Sequence, residues 1–243
     1  MDWVDEGIVL TARRHGDADA VLHALTFEHG RHAGLVKGGA GRRLRPLLQP
    51  GNRLELEWRA RLADQLGGFQ LGPKRLFAAA LLDDPLRLAA LASACGLVEA
   101  GLAERDPHPR LYAALLAWLQ RLVEDAQWAA DYVRFELLLL AELGFAVDLA
   151  TCAVTGATAD LAYVSPRTGR AVTREAAGAL ADRLLPLPAF LVEPVDADPG
   201  QIASGLRLAG HFLRRHIFDP TDRPLPAARE RLASLWQAAS ETA

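Results

Sequence analysis

The chain predicts an α+β protein in two parts, a small five-stranded β-barrel followed by a mainly α-helical half. Three observations carry that expectation. Apolar and polar residues alternate at period two from Gly7 to about residue 72, glycine or proline marks each corner, and after Pro73 the period lengthens to about 3.6. With 243 residues, 51% of them apolar, the chain can bury a sizeable core.

Residues 7–39 hold three short apolar runs broken at Gly16, Gly30 and Gly38–Gly39, which reads as a strand meander. Gly7, Val9, Thr11 and Arg13 fall on one face of the first strand, with Ile8, Leu10 and Ala12 on the other. The stretch PGNRLELEWRAR, 50–61, alternates again. Leu54, Leu56 and Trp58 share a face opposite Glu55, Glu57, Arg59 and Arg61, so Trp58 reads as a barrel-core residue rather than a base-stacking platform. LGGFQLG, 66–72, supplies a fifth strand with Gly67–Gly68 as a bulge. Five short strands in about 75 residues have the size and pattern of an OB-fold barrel, whereas a sandwich needs more strands.

Beyond Pro73 four helical stretches follow: LFAAALL at 76–82, a run from Pro85, a run from Pro109 and AADYVRFELLLLAELGF at 129–145. Pro85 and Pro109 suit the first turn of their helices. Residues 151–173 break the pattern, punctuated by Gly156, Pro166 and Gly169, with LAYV as a strand-like run. Helical period returns at Arg174–Leu184, Gln201–Ile217 and Ala227–Ala239. The expected division is therefore a barrel domain over 1–75 and a helical domain over 76–243, with an irregular insert at 151–173.

Composition excludes several classes. The longest uncharged stretch of the apolar middle, Leu88 to Val98, is far short of the ~20 residues a membrane helix needs. The acidic start, MDWVDEG, does not read as a signal peptide. Two cysteines, Cys95 and Cys152, with Cys95 in an apolar helical run, argue against a disulfide framework and for a reducing, cytoplasmic setting. There is no GxSxG elbow, no phosphate-binding glycine loop and no CxxC. His211 and His216 are off the i, i+4 spacing of a helical metal pair, and Asp17 and Asp19 read as solvated carboxylates. No catalytic residue is expected, no cofactor, and no enzyme activity.

Net charge is −3 overall but divides unevenly. Residues 1–75 hold twelve Lys plus Arg against nine Asp plus Glu, and 31–61 hold eight basic residues against Glu55 and Glu57. That local excess can supply a field the whole-chain sum hides. The expected nucleic-acid surface centres on Arg31, Lys37, Arg42, Arg43 and Arg45, with Arg13, Arg14, Arg59 and Arg61 as second-rank members. Arg42 to Arg45 sit on a glycine-tethered loop that reads as flexible. The alternative is a solvated arginine-rich surface on a docking module that binds protein rather than DNA, with the helices mediating oligomerisation.

Taken in order, several segments resemble the RecO family of bacterial DNA repair and recombination mediators. They are GIVL at Gly7–Leu10, the Gly16–Asp17 step, Leu25 through Arg31, VKGG at Val36–Gly39, LQPGNRLELEW at Leu48–Trp58, RFELLLLAELGF at Arg134–Phe145 and DLATC at Asp148–Cys152. The resemblance implies an OB-fold joined to a helical domain that binds single- and double-stranded DNA. It also implies strand annealing, binding of the acidic tail of the single-stranded DNA-binding protein and, with RecR, help in loading RecA.

The chain departs from the family in one respect. Many members carry a four-cysteine zinc site after the LGF segment, and here Cys152 stands at the first position without the other three. A tetrahedral site needs four ligands, so the insert is expected to be a degenerate, zinc-free version of that module, packed around Tyr163, Val164 and Val172. The acidic, apolar tail of the partner needs an apolar pocket rimmed by arginine. The candidates are Arg121 with Leu115, Leu116, Leu119 and Leu122, and Arg134 with Tyr132, Leu137 and Leu138. The competing reading makes those leucines bundle core.

Overall fold

The computed structural model describes residues 1–62 and 65–242, which form two compact units dividing between Glu124 and Asp125. The first unit opens with strands β1 (Asp2–His15), β2 (Asp19–Thr26), β3 (Gly30–Val36), β4 (Arg53–Arg59) and β5 (Gly68–Arg75). They close a barrel in the order β1-β2-β3-β5-β4, with β4 pairing back on β1. All pairings are antiparallel except β3 with β5, which meet in parallel at Leu35 and Gly68. The inward-facing set reads straight from the period-two pattern: Leu22, Ala24, Val36, Leu54, Leu56, Trp58 and Phe69 are buried together with Val9.

The first strand departs from simple alternation. Ile8, Val9 and Leu10 are each at most 2% exposed, because β1 carries a bulge between Val9 and Thr11 and is covered by the helix α1 (Pro85–Gly101). Asp84 caps α1, its Oδ1 accepting from the backbone N–H of Leu86 and Arg87, as the Asp-Asp-Pro signal implies. Cys95 on this helix lies with Sγ 3.6 Å from the Val9 carbonyl, and burial pushes its thiol up to about 12. The stretch LFAAALL forms only a 3₁₀ turn at Ala78–Leu81 instead of the expected helix. Pro85 lies too close for a longer helix to pass through, since the residue before proline disfavours the helical region.

Residue 75 is the end of the barrel, but it is not a boundary between compact units. The helices α1 and α2 (Pro109–Glu124) pack in one compact unit with the barrel, so that unit runs beyond residue 75 to Glu124. Two ties account for this. Arg31 on β3 donates from Nε to the Leu102 carbonyl at 3.0 Å, and Gly30 sits against Asp106 so closely that a Cβ would lie 2.1 Å from its carbonyl oxygen. Gly30 also has φ +67°, a second reason for glycine there.

The second unit contains α3 (Trp128–Glu142), a three-stranded sheet of β6 (Leu161–Val164), β7 (Ala171–Thr173) and β8 (Leu185–Pro186), a one-turn helix α4 (Arg174–Ala177), α5 (Pro199–Leu213) and α6 (Ala227–Thr242). Helix α5 packs on both α3 and α6, and it continues into a π-helical turn at Arg214–Phe218. The approach of α3 and α5 needs a glycine: a Cβ at Gly205 would lie 3.0 Å from Val133 and 3.1 Å from Phe190. At the centre, Glu136 of α3 and Arg229 of α6 form a buried bidentate ion pair, and Arg229 also donates to the Leu206 carbonyl at 2.7 Å.

The insert is larger than the irregular 151–173 expected, because its third strand lies at 185–186. Val164 and Val172 are buried, and Tyr163 packs on a small cluster of Cys152, Val172 and Ala177. The donor set does not fit zinc. Cys152 Sγ accepts from the Thr173 backbone N–H at 3.4 Å and lies 3.7 Å from the Thr173 hydroxyl, and the described residues hold no group of three His, Cys, Asp or Glu able to bind a metal.

Candidate nucleic-acid interface

Residues 37–49, KGGAGRRLRPLLQ, connect the end of β3 toward β4 with four positive charges and no Asp or Glu. The connection, expected to be flexible, is held by hydrogen bonds at both ends. Gly38 N–H donates to Asp19 Oδ1 at 2.8 Å, and Ala40 N–H donates to the Ala18 carbonyl at 2.9 Å. The chain then winds through a turn in which Arg45 N–H reaches Gly41 O. Leu48 is buried, and Leu44 and Leu47 pack against the barrel core.

Asn52, 1% exposed, fastens the far end. Its Nδ2 donates to the carbonyls of Pro46 and Leu47 at 2.9 and 3.1 Å, and its Oδ1 accepts from Ala78 N–H. The sequence reading missed Asn52. Its signal was present, since an Asn after Pro-Gly between two runs bonds nearby backbone as a turn residue does. A buried amide left unpaired costs roughly 1–3 kcal/mol, so this loop conformation is strongly favoured.

The scaffold leaves the side chains of Arg42, Arg43 and Arg45 exposed, with no ion pair or side-chain hydrogen bond among the described residues. Lys37 is exposed beside them. Arg14 joins from the end of β1. Its guanidinium donates to the carbonyls of Gly16 and Asp17 at 3.2 and 2.7 Å, which orients the group without neutralising it. Arg14 and Arg45 line the two sides of a groove of about 480 Å³ with Thr11, Ala12 and Gln49. Arg13, exposed, lies on β1 next to Arg14. Five arginines and a lysine therefore lie at one end of the barrel, together with Asp17 and Asp19 of the β1–β2 turn.

Three of the expected members are elsewhere. Arg31 is clamped: its side chain is 14% exposed and Nη1 lies 3.3 Å from His23 Nδ1, 3.6 Å from Glu99 and 3.5 Å from Glu104. Those carboxylates lie some 70 residues along the chain, invisible to local pattern, and they hold Arg31 against α1 and the segment that follows it. Arg59 pairs with Glu57, and Asp2 stands opposite it in the β1–β4 ladder. Arg59 and Arg61 thus mark the opposite end of β1 from Arg13 and Arg14.

The expected tail pockets do not form as drawn. Leu115, Leu119 and Leu122 are fully buried and Tyr132 is 1% exposed, so these residues are core, as the competing reading had it. Arg121 lies at the exposed end of α2, in the first unit, and Arg134 lies in the second. Arg134 pairs with Asp131 at 2.8 Å, donates to the Phe190 carbonyl at 2.6 Å and covers the Phe190 ring. A helix face alone does not separate pocket from core.

Known proteins place this architecture. Residues 1–72 match the family described as Recombination protein O N terminal, and residues 82–223 match Recombination protein O C terminal. The chain is 51% identical to the DNA repair protein RecO of Rhodospirillum centenum over all of its length and 97% of that protein. It is 49% identical to that of Rhodospirillum rubrum, over 98% and 99% of the two chains, and 48% identical to that of Cereibacter sphaeroides, over 97% and 98%. Both halves of the sequence, in the order the barrel and helices impose, belong to one family: the chain is a member of the RecO family of DNA repair proteins.

Proposed function

We propose that this chain is a non-enzymatic recombination mediator that binds single- and double-stranded DNA and anneals complementary strands. The barrel, with strand order β1-β2-β3-β5-β4, serves as an OB-fold nucleic-acid module. The observation that carries the reading is the folded loop of Arg42, Arg43 and Arg45, whose side chains are exposed and make no ion pair among the described residues, beside a groove shared by Arg14 and Arg45. Arginine charge neutralises phosphate and reduces repulsion between strands, while base pairing supplies the free energy, so annealing needs no covalent step.

The partners that fit this reading are RecR, RecA through its loading, and the acidic tail of the single-stranded DNA-binding protein, with no membrane. No helix of the described residues is long and apolar enough to cross one. For the tail, the groove between α5 and α6 supports docking better than α2 or α3. It holds about 440 Å³ with apolar walls at Ala203, Leu206 and Ala233, and Arg207 and Arg214 outnumber its single carboxylate, Glu241, outside the internally paired Arg229.

The test is a salt titration of a labelled single strand. Neutralising ~5 phosphates gives a log–log slope of roughly −3.5, at about −0.7 per contact. Replacing Arg42, Arg43 and Arg45 together by alanine is expected to flatten the slope by about 2 and weaken binding across sequences. No oligonucleotide binding at any salt concentration would favour the protein-docking module instead. A folded triple variant that binds like wild type would move the DNA surface off this loop.

A further inference from the structure

The second unit carries an aromatic stack whose outer ring is open to solvent. Phe145, 39% exposed, lies flat on His216 with ring centroids 4.7 Å apart and planes 13° apart. His216 in turn lies nearly parallel to the buried Phe212, at 6.1 Å and 7°. Burial, then Arg215 and His211, hold the His216 imidazole below its usual range, so at neutral pH the ring is uncharged and stacks as an aromatic. The edge of this stack is fixed from a second direction by the turn joining β6 and β7. His211 Nε2 is 3.0 Å from the Pro166 carbonyl, and Arg215 donates to the same oxygen at 2.6 Å.

The segments that meet at this stack are rich in arginine. The three segments that meet here, 144–148, 165–170 and 214–219, contain four arginines against two aspartates. Arg170 pairs with Asp148 at 3.5 Å, and Arg214 turns toward the groove between α5 and α6, whereas Arg167 is exposed and makes no ion pair among the described residues. Arg214 and Arg215 sit on the π-helical turn, a departure from regular helix often found at functional positions. A half-exposed ring backed by two more rings is already ordered, so stacking a planar group on it costs little conformational entropy. Planar, anionic and repeating is the chemistry of single-stranded nucleic acid, which combines a π-face with a phosphate per unit.

We infer that Phe145, backed by His216 and Phe212, with Arg215 and Arg167 on the adjoining segments, is a base-stacking platform for single-stranded DNA on the second unit, separate from the basic loop of the barrel. The inference rests on the reading of the chain as a DNA binder and extends it: each chain then carries two strand contacts, on different units.

The experiment uses the full chain with thymidine oligonucleotides carrying single 5-iododeoxyuridines, cross-linked by light and mapped by mass spectrometry, alongside anisotropy binding curves. Cross-links at Phe145 or His216 are expected. Phe145→Ala is expected to weaken binding about five- to tenfold while leaving the salt slope nearly intact, because stacking carries no counterion release. Phe145→Trp is expected to restore affinity, and its indole fluorescence to be quenched by bound strand. Binding that depends on Arg42, Arg43 and Arg45, without cross-links in the second unit and with Phe145→Ala equal to wild type, would overturn the platform and leave the barrel reading standing. Absence of any binding would overturn both.

Discussion

At the scale of single residues, His32 is the least expected member of the barrel. It is 4% exposed with neither ring nitrogen hydrogen-bonded, and it is surrounded by Trp3, Trp58 and Phe69 at 5.0, 4.8 and 6.3 Å. Burial first, then the charges of Arg105 and His29, lower its pKa to about 4. A lowered pKa on a base means that the unfolded chain takes up the proton first. Its contribution is fully present above about 6.5 and is lost as pH falls toward 4, up to about 3 kcal/mol. Urea unfolding between pH 7 and 4.5 is expected to show His32→Leu losing less stability than wild type over that range. Equal pH slopes in the two proteins would remove His32 from the acid response. Local pattern did not single out His32, because its burial comes from Trp3 and Phe69, residues of two other strands.

At the scale of elements, α3 and α6 are joined by one buried pair, Glu136 with Arg229. Removing a single partner leaves an uncompensated charge in the interior, which costs about 3–5 kcal/mol, whereas replacing both by apolar groups of similar volume is near neutral. Glu136→Leu is therefore expected to lower the thermal midpoint of this unit strongly, and Glu136→Leu with Arg229→Met to recover most of it. A double variant no better than the single one would show that the Leu206 carbonyl, left without its donor, dominates. The insert yields a second expectation: elemental analysis finds no stoichiometric zinc, and a chelator leaves thermal unfolding unchanged. One zinc per chain, lost with Cys152→Ser, would mean that distant groups complete a site. Elements differ in how far the sequence revealed them. The strands were legible because one face of each is buried and period two records that directly. LFAAALL misled because composition favours helix there while Pro85 limits its length. Arg31 misled because its partners, Glu99 and Glu104, come from the far end of α1 and beyond.

For the whole molecule, a net charge of −3 gives a poor guide to what the surface attracts. The field near a ligand is set by residues within about a Debye length, ~8 Å at physiological salt, and on that length the 37–49 connection brings four positive charges against the Asp19 carboxylate bound to Gly38. Charge is thus partitioned between surfaces, and a partner meets only the part it approaches. The same connection is anchored by Asn52, Asp19 and Ala18 before any partner arrives. A segment that folds on contact leaves a large negative heat-capacity change, because it buries apolar surface during association. This one has already buried Leu48 and packed Leu44 and Leu47 against the core. Calorimetry of oligonucleotide binding at several temperatures is therefore expected to give nearly temperature-independent enthalpy, with affinity driven by the entropy of released counterions. A steep fall of enthalpy with temperature would instead mean that the loop opens and refolds around each strand it takes up.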